Sequence, residues 1–330
     1  MAGRASVWSD PEVLALARRA VACADEVWRL QRGDDDECRV FQGMADAGHY
    51  SGKGGTRQGI YLATPAGELL ASCNALNPEA VLTMLERGFH AWEQLPPEAR
   101  ARRVRIDRRD IVRWEDSCPD DGLVLTSFVR DLPDSLQPSD AQGRRWNRDH
   151  AWFSRDEARD WLPATPRPGS RFEVPWRLVA RLARFHVIDN VRGQGLPFAT
   201  EEVAGSQIHG EVLSVDGPRV RLAYEGLTRA VADGTWRLGD NDWTPSKPWP
   251  RGHLTQVLGW AVFDLEAGRF TEFELQAHGV RWGQAPVNGR HGDPGPAPIG
   301  TWFSLAGDAP ADRVAPAFID VYDADWVVAP

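Results

Sequence analysis

Between about residue 208 and residue 277 the apolar side chains fall at every second position, and this period constrains the fold more than any other feature of the chain. Residues 208–215, an Asp216-Gly217 turn and residues 219–224 predict one hairpin, since Asp-Gly between alternating runs is a strong hairpin signal. Residues 254–265, a Glu266-Ala267-Gly268 turn and residues 269–277 predict a second. In its return arm Phe273, Leu275 and Ala277 alternate with Glu272, Glu274 and Gln276. One face is therefore wet and the other covered, as in an antiparallel sheet packed on one side. Residues 122–130 and 301–305 predict further strands, and residues 133–148 and 286–298 read as polar or Gly/Pro loops. Two helices interrupt this pattern. Ser154-Arg155-Asp156-Glu157 is a capping box opening a short helix that stops at Leu162-Pro163, and residues 175–185 place Leu178, Val179, Leu182 and Phe185 on one helical face.

The first hundred residues have a different texture. Ser9-Asp10-Pro11-Glu12 opens a helix whose buried face is Val13, Leu14, Ala17, Ala20 and Val21. Residues 26–31 (Glu-Val-Trp-Arg-Leu-Gln) alternate like a half-buried strand, residues 32–37 form an acidic turn, and residues 38–47 predict a short helix. Residues 48–59 are a Gly-rich loop. A hairpin follows, with Tyr61 and Leu62 before the Thr64-Pro65-Ala66-Gly67 turn and Leu69 and Leu70 after it. Asn77 and Pro78 then open a helix that Pro96-Pro97 ends. A chain of 330 residues is long for one core, so two domains are expected, 1–103 and 104–330.

The strand–strand–helix run of residues 59–95 resembles the closing half of a domain of the thioredoxin-like superfamily. The resemblance covers about a hundred residues and implies an abbreviated thioredoxin-like α/β domain followed by a larger antiparallel β-rich domain with two or three helices. In that superfamily a strand leads into a paired-cysteine motif at a helix start, where unpaired backbone N–H groups favour thiolate. Cys38-Arg39 matches the second cysteine and the basic residue after it, and Asp35 stands where the attacking cysteine would be. Arg57 occupies the place of the cis-proline, so the resemblance implies that Arg57 approaches Cys38. Its implied chemistry is that of a single-cysteine thiol-redox or thiol-handling protein with Cys38 as nucleophile. One thiol cannot close an intramolecular disulfide, and Asp34, Asp35, Asp36 and Glu37 surround it with charge that opposes thiolate.

Other motifs are weaker. Gly48 to Thr56 has the glycines and the lysine of a phosphate loop but opens a strand instead of a helix, leaving His49 and Lys53 as candidate substrate contacts. His209 and Glu211, with His186 and Asp189, lack a diagnostic metal spacing, so no metal and no cofactor are expected. Gly-x-Ser-x-Gly is absent. Two polar loops, around Asp189 and Arg192 and around Asn288, Arg290 and His291, are candidate ligand contacts at one end of the sheet.

A net charge of −9 argues against nucleic acid or an anionic membrane as partner. No uncharged apolar run reaches transmembrane length and no secretory h-region fits residues 1–30, which leads to a cytoplasmic expectation. Cys23, Cys38, Cys73 and Cys118 have no C-x-x-C spacing. The function expected is that of a non-enzymatic interaction or small-ligand-binding protein, with an unknown protein or small molecule as partner. The single-cysteine thiol chemistry is the alternative.

Overall fold

A computed structural model describes residues 7–8, 10–25, 27–50, 56–75, 77–107, 118–119, 121–132, 146–233, 248–286, 288–309 and 312–316. The chain divides into a smaller unit, Gly3–Val112, and a larger one over Arg113–Pro330. Among the described residues no helix is long and apolar enough to cross a membrane.

The smaller unit is mainly helical. Helices α1 (Pro11–Ala17), α2 (Val27–Arg32) and α3 (Asp36–Asp46) precede the hairpin β1 (Ile60–Ala63) and β2 (Leu69–Cys73). Helices α4 (Pro78–Gln94) and α5 (Pro97–Ala101) follow it. The caps are those the sequence announces: Asp10 accepts from Glu12 and Val13, and Asn77 accepts from Ala80. Val13, Leu62, Ala71, Val81, Met84, Leu85 and Phe89 form the core between hairpin and helices.

The strand expected over residues 26–31 is instead helix α2. Val27 and Leu30 stand three apart, a spacing that fits a helical face as well as a strand, and no partner strand lies beside them to decide for β. Gln42 in α3 holds the end of α2 by donating to the carbonyls of Leu30 and Gly33 at 3.0 and 2.8 Å.

The larger unit is built on one antiparallel sheet of eight strands. In chain order these are β3 (Leu123–Asp131), β4 (Trp146–Phe153), β5 (Arg171–Glu173), β6 (Gln207–Asp216), β7 (Arg219–Ala232), β8 (Arg251–Asp264), β9 (Arg269–Gly283) and β10 (Ala297–Leu305). Their spatial order is β4-β3-β10-β9-β8-β7-β6-β5. Thus β5 to β10 form a continuous meander, and the β3–β4 pair adds to it along β10. Both expected hairpins are present, with Gly217 and Gly268 at positive φ in their turns. Their strands run longer than expected. The loop expected over 133–148 gives way to β4 at Trp146; residues 133–145 lie outside the described set.

Helix α6 (Arg155–Arg159) opens with the capping box, Ser154 and Glu157 exchanging hydrogen bonds. Helix α7 (Trp176–Arg181) continues as a π-helical turn, Leu182–His186. Their apolar residues meet the inner face of the sheet around Trp161. That indole is fully buried and makes edge contacts with Phe153, Tyr224 and Phe273 at centroid distances of 5.5 to 5.7 Å.

Candidate functional site

The inner face of the sheet changes character along its strands. On β8 the inward positions read Ala261, Val257, Thr255, His253 and Arg251 towards its start, all buried. Across from them β9 runs from Phe273 through Leu275 and Ala277 to Arg281, and β7 ends with Thr228, Ala230 and Ala232 inward. Period two continues without a break from Arg251 to Val257, so the strand that ends among apolar core residues must begin by pointing Arg251, His253 and Thr255 the same way.

At this polar end two ionic layers meet. The first is a network of three arginines and three aspartates. Arg290, fully buried, forks onto Asp131 at the end of β3 at 2.6 and 3.0 Å, and onto Asp189 at 2.7 Å through both Nε and Nη2. Arg192 also reaches Asp131, at 3.0 Å, and Asp293, at 3.0 Å. Arg281 donates to the Asp293 carboxylate at 2.8 Å and to its carbonyl at 2.7 Å. Burial opposes the charge on Asp131, but the bonds from Arg290 and the charges of Arg192 and Arg281 outweigh it, holding this carboxyl below its usual range. Burial likewise disfavours charge on Arg290, and its two carboxylate partners more than offset that, raising it further. The network pins the 189–192 and 288–293 segments to the sheet.

The second layer is the cleft beside it, about 440 Å³ of atom-free space counting its open mouth. Its floor includes Arg251, His253, Thr255, Arg281 and Thr301, and its wall is the segment carrying Ile188, Asp189, Gly195, Leu196 and Phe198. Arg251 is 5 % exposed, stacks over Phe198 at 4.8 Å, and donates from Nη2 to the Pro197 carbonyl at 2.9 Å. Its Nε and Nη1 have no hydrogen-bond partner among the described residues, and neither do His253 Nε2 and Arg281 Nε. Among those residues no carboxylate lies within ion-pair distance of Arg251. Burial lowers the Arg251 pKa, opposed only by the charge of Glu202, and burial alone takes His253 down to about 3, so its imidazole is neutral.

No protein-family model matches this chain, and no curated protein and no solved structure matches it.

The residues singled out in the sequence are distributed as follows. Asp189, Arg192 and Arg290 do come together, but each spends its charge on the others; only Asp189 also lines the cleft. Asn288 lines it too, with its Oδ1 committed to the backbone N–H groups of Ala285 and Arg290. His291 is exposed and stands 5.9 Å from the Trp249 ring. His49 packs between Tyr50 and Tyr61 in the smaller unit, and Lys53 lies outside the described residues. His186 meets Asp149, not Asp189, and no metal-ligating cluster of three occurs among the described residues.

Cys38 lies in the first turn of α3, where Asp35 caps its backbone N–H at 2.9 Å. Its side chain is fully buried. The guanidinium beside the sulfur, at 3.1 Å, is that of Arg29 and not Arg57, which instead forks onto Asp46 at 2.6 and 3.0 Å. Burial pushes the Cys38 thiol up; Arg29 pulls it down and Asp35 pushes it up again, with a net rise. Even the preceding turn is shaped by this burial, since a Cβ at Gly33 would sit 2.6 Å from the sulfur.

Two cleft residues that the motifs do not mark are Arg251 and His253. Counting back from Phe263 and Ala261 by twos along β8 reaches both, so a cation on a core-facing register was the available signal.

Proposed function

We propose that the larger unit binds a small molecule in the cleft over the polar end of its sheet. One observation carries this reading: three buried side chains, Arg251, His253 and Arg281, hold nitrogens without hydrogen-bond partners among the described residues, and all three line one cavity. An unmet buried polar group costs about 1–3 kcal/mol. Several on one cavity wall are better explained by an occupant than by accident. The wall opposite is apolar, with Ile188, Leu196 and Phe198, so the cleft has the mixed lining of a ligand site. Its polar groups are fixed donors, which supports binding more directly than catalysis, and the charge of −9 continues to speak against nucleic acid.

The thiol reading of the smaller unit has weaker support. The hairpin followed by capped α4 favours the thioredoxin-like resemblance, while α2 in place of a strand, the burial of Cys38 and the pairing of Arg57 with Asp46 weigh against the chemistry. A scaffold role fits that unit better.

The test is thermal stabilisation by a metabolite set, measured on the parent protein and on a folded Thr301→Phe variant that fills the cleft floor. The expected outcome is stabilisation of the parent alone. Equal stabilisation of both proteins would place the ligand elsewhere.

A further inference from the structure

We infer that the occupant of this cleft is a small oxyanion, a carboxylate or phosphate group, clamped by Arg251. The inference rests on the cleft being a ligand site and adds the charge of what enters it. The neighbouring network balances itself: Arg192, Arg281 and Arg290 face Asp131, Asp189 and Asp293. Arg251 is left over. It is an arginine buried to 5 % exposure, with no carboxylate in ion-pair distance among the described residues.

A buried cation without a paired carboxylate is costly even with the more distant charge of Glu202, and proteins ordinarily meet it with a counter-charge in contact. The side chain is also held ready. The Arg251 guanidinium lies over the Phe198 ring at 4.8 Å, that ring makes an edge contact with His253 at 5.4 Å, and the Pro197 carbonyl anchors Nη2. The unpartnered Nε and Nη1 carry three of the five N–H groups of a guanidinium and lie on different edges of its plane, so one of them, together with the second N–H of Nη2, completes the fork that carboxylate and phosphate oxygens accept. His253, two residues along the same strand face, can add an N–H from Nε2 in one neutral tautomer. Arg281 lies across the strand pair from His253 and brings its Nε to the same floor.

The acid on the cleft wall, Asp189, does not oppose this, because both its oxygens are bonded to Arg290. Much of the 440 Å³ is open mouth, so the enclosed part suits one anionic group with the remainder of the molecule projecting outward.

Isothermal titration of the full chain with acetate, succinate, inorganic phosphate and acetamide tests the inference, alongside Arg251→Gln, Arg251→Lys and Thr301→Phe. The expected result is that an oxyanion binds the parent and that neutral acetamide does not. Arg251→Gln should weaken binding about tenfold to a hundredfold, the range of a hydrogen bond to a charged group, and Arg251→Lys should restore part of it. Which anion binds tighter separates the carboxylate source from the phosphate. Binding of acetamide equal to that of acetate, or oxyanion binding unchanged in Arg251→Gln, overturns the anion clamp while the cleft stands. If no compound, charged or neutral, binds the parent more tightly than Thr301→Phe, the cleft reading falls and the clamp with it. Should Arg251→Gln fail to fold, Arg251→Lys and the acetate–acetamide comparison on the parent decide the matter alone.

Discussion

The two ends of the inner sheet face are built on the same strands and solve the burial problem in opposite ways. At the apolar end, Trp161 and the residues of α7 fill the space, and the buried charges are matched: Arg181 forks onto Glu157 at 2.6 and 2.8 Å and also donates to the Trp152 carbonyl. At the polar end, Arg251 is as buried as Arg181 but, among the described residues, has a single carbonyl partner. Depth within the sheet therefore does not distinguish a paired arginine from an unpaired one. What distinguishes them is whether the fold supplies the counter-charge. At one end the buried arginine meets its carboxylate within the fold; at the other the proposed ligand would supply the counter-charge.

The comparison can be broken most severely at its filled end. Trp161→Ala removes the indole on which Phe153, Tyr224 and Phe273 converge, and should cost about 3–5 kcal/mol in urea unfolding. Next comes the network between the ends. Arg290→Ala leaves Asp131 and Asp189 buried without their main partner and should cost about 3–5 kcal/mol, while a cost near zero would mean that water reaches this cluster freely.

Acidification should act on two buried histidines, His253 in the cleft and His150 on β4. His253 has its pKa lowered to about 3 and His150 to about 4, both mainly by burial. The unfolded chain takes up protons at these histidines below its ordinary pKa of about 6.5, and the folded chain does not. Stability should therefore fall as pH drops from about 6.5 towards 4, by a few kcal/mol in all, and His253→Gln should flatten the slope. A pH-independent unfolding midpoint over that range would contradict the burial of both rings.

The sharpest contrast carries the smallest number. Arg251→Met in ligand-free protein should change stability by less than about 1 kcal/mol, or raise it, because it removes an uncompensated charge. Arg181→Met should destabilise clearly, because it strands Glu157 at 3 % exposure. Equal losses in the two variants would erase the distinction on which the ligand site rests. In the smaller unit, Cys38 alkylation in the folded protein should be slow at neutral pH, and rapid labelling there would restore the thiol chemistry.

Local signals were legible wherever one short segment decides its own structure. The Ser154 capping box, the Asp216-Gly217 turn and the alternation on β9 each lie within ten residues, and each is present. Residues 26–31 failed the same test because six residues with two apolar positions suit either period. The candidate contacts Asp189, Arg192 and Arg290 were rightly seen as a polar concentration, yet their roles depend on partners about a hundred residues away. The Arg290–Asp189 bond spans 101 positions and the Arg290–Asp131 bond 159.

By itself, the amino-acid order determined the antiparallel β-rich class, the two hairpins and the capped helices, since these follow from propensity and period within short windows. Only the tertiary structure decided which charges cancel. That outcome depends on strands β3, β8 and β9 and two loops arriving at one place, and no local pattern encodes the distance between Arg251 and the carboxylates that pair with its neighbours instead.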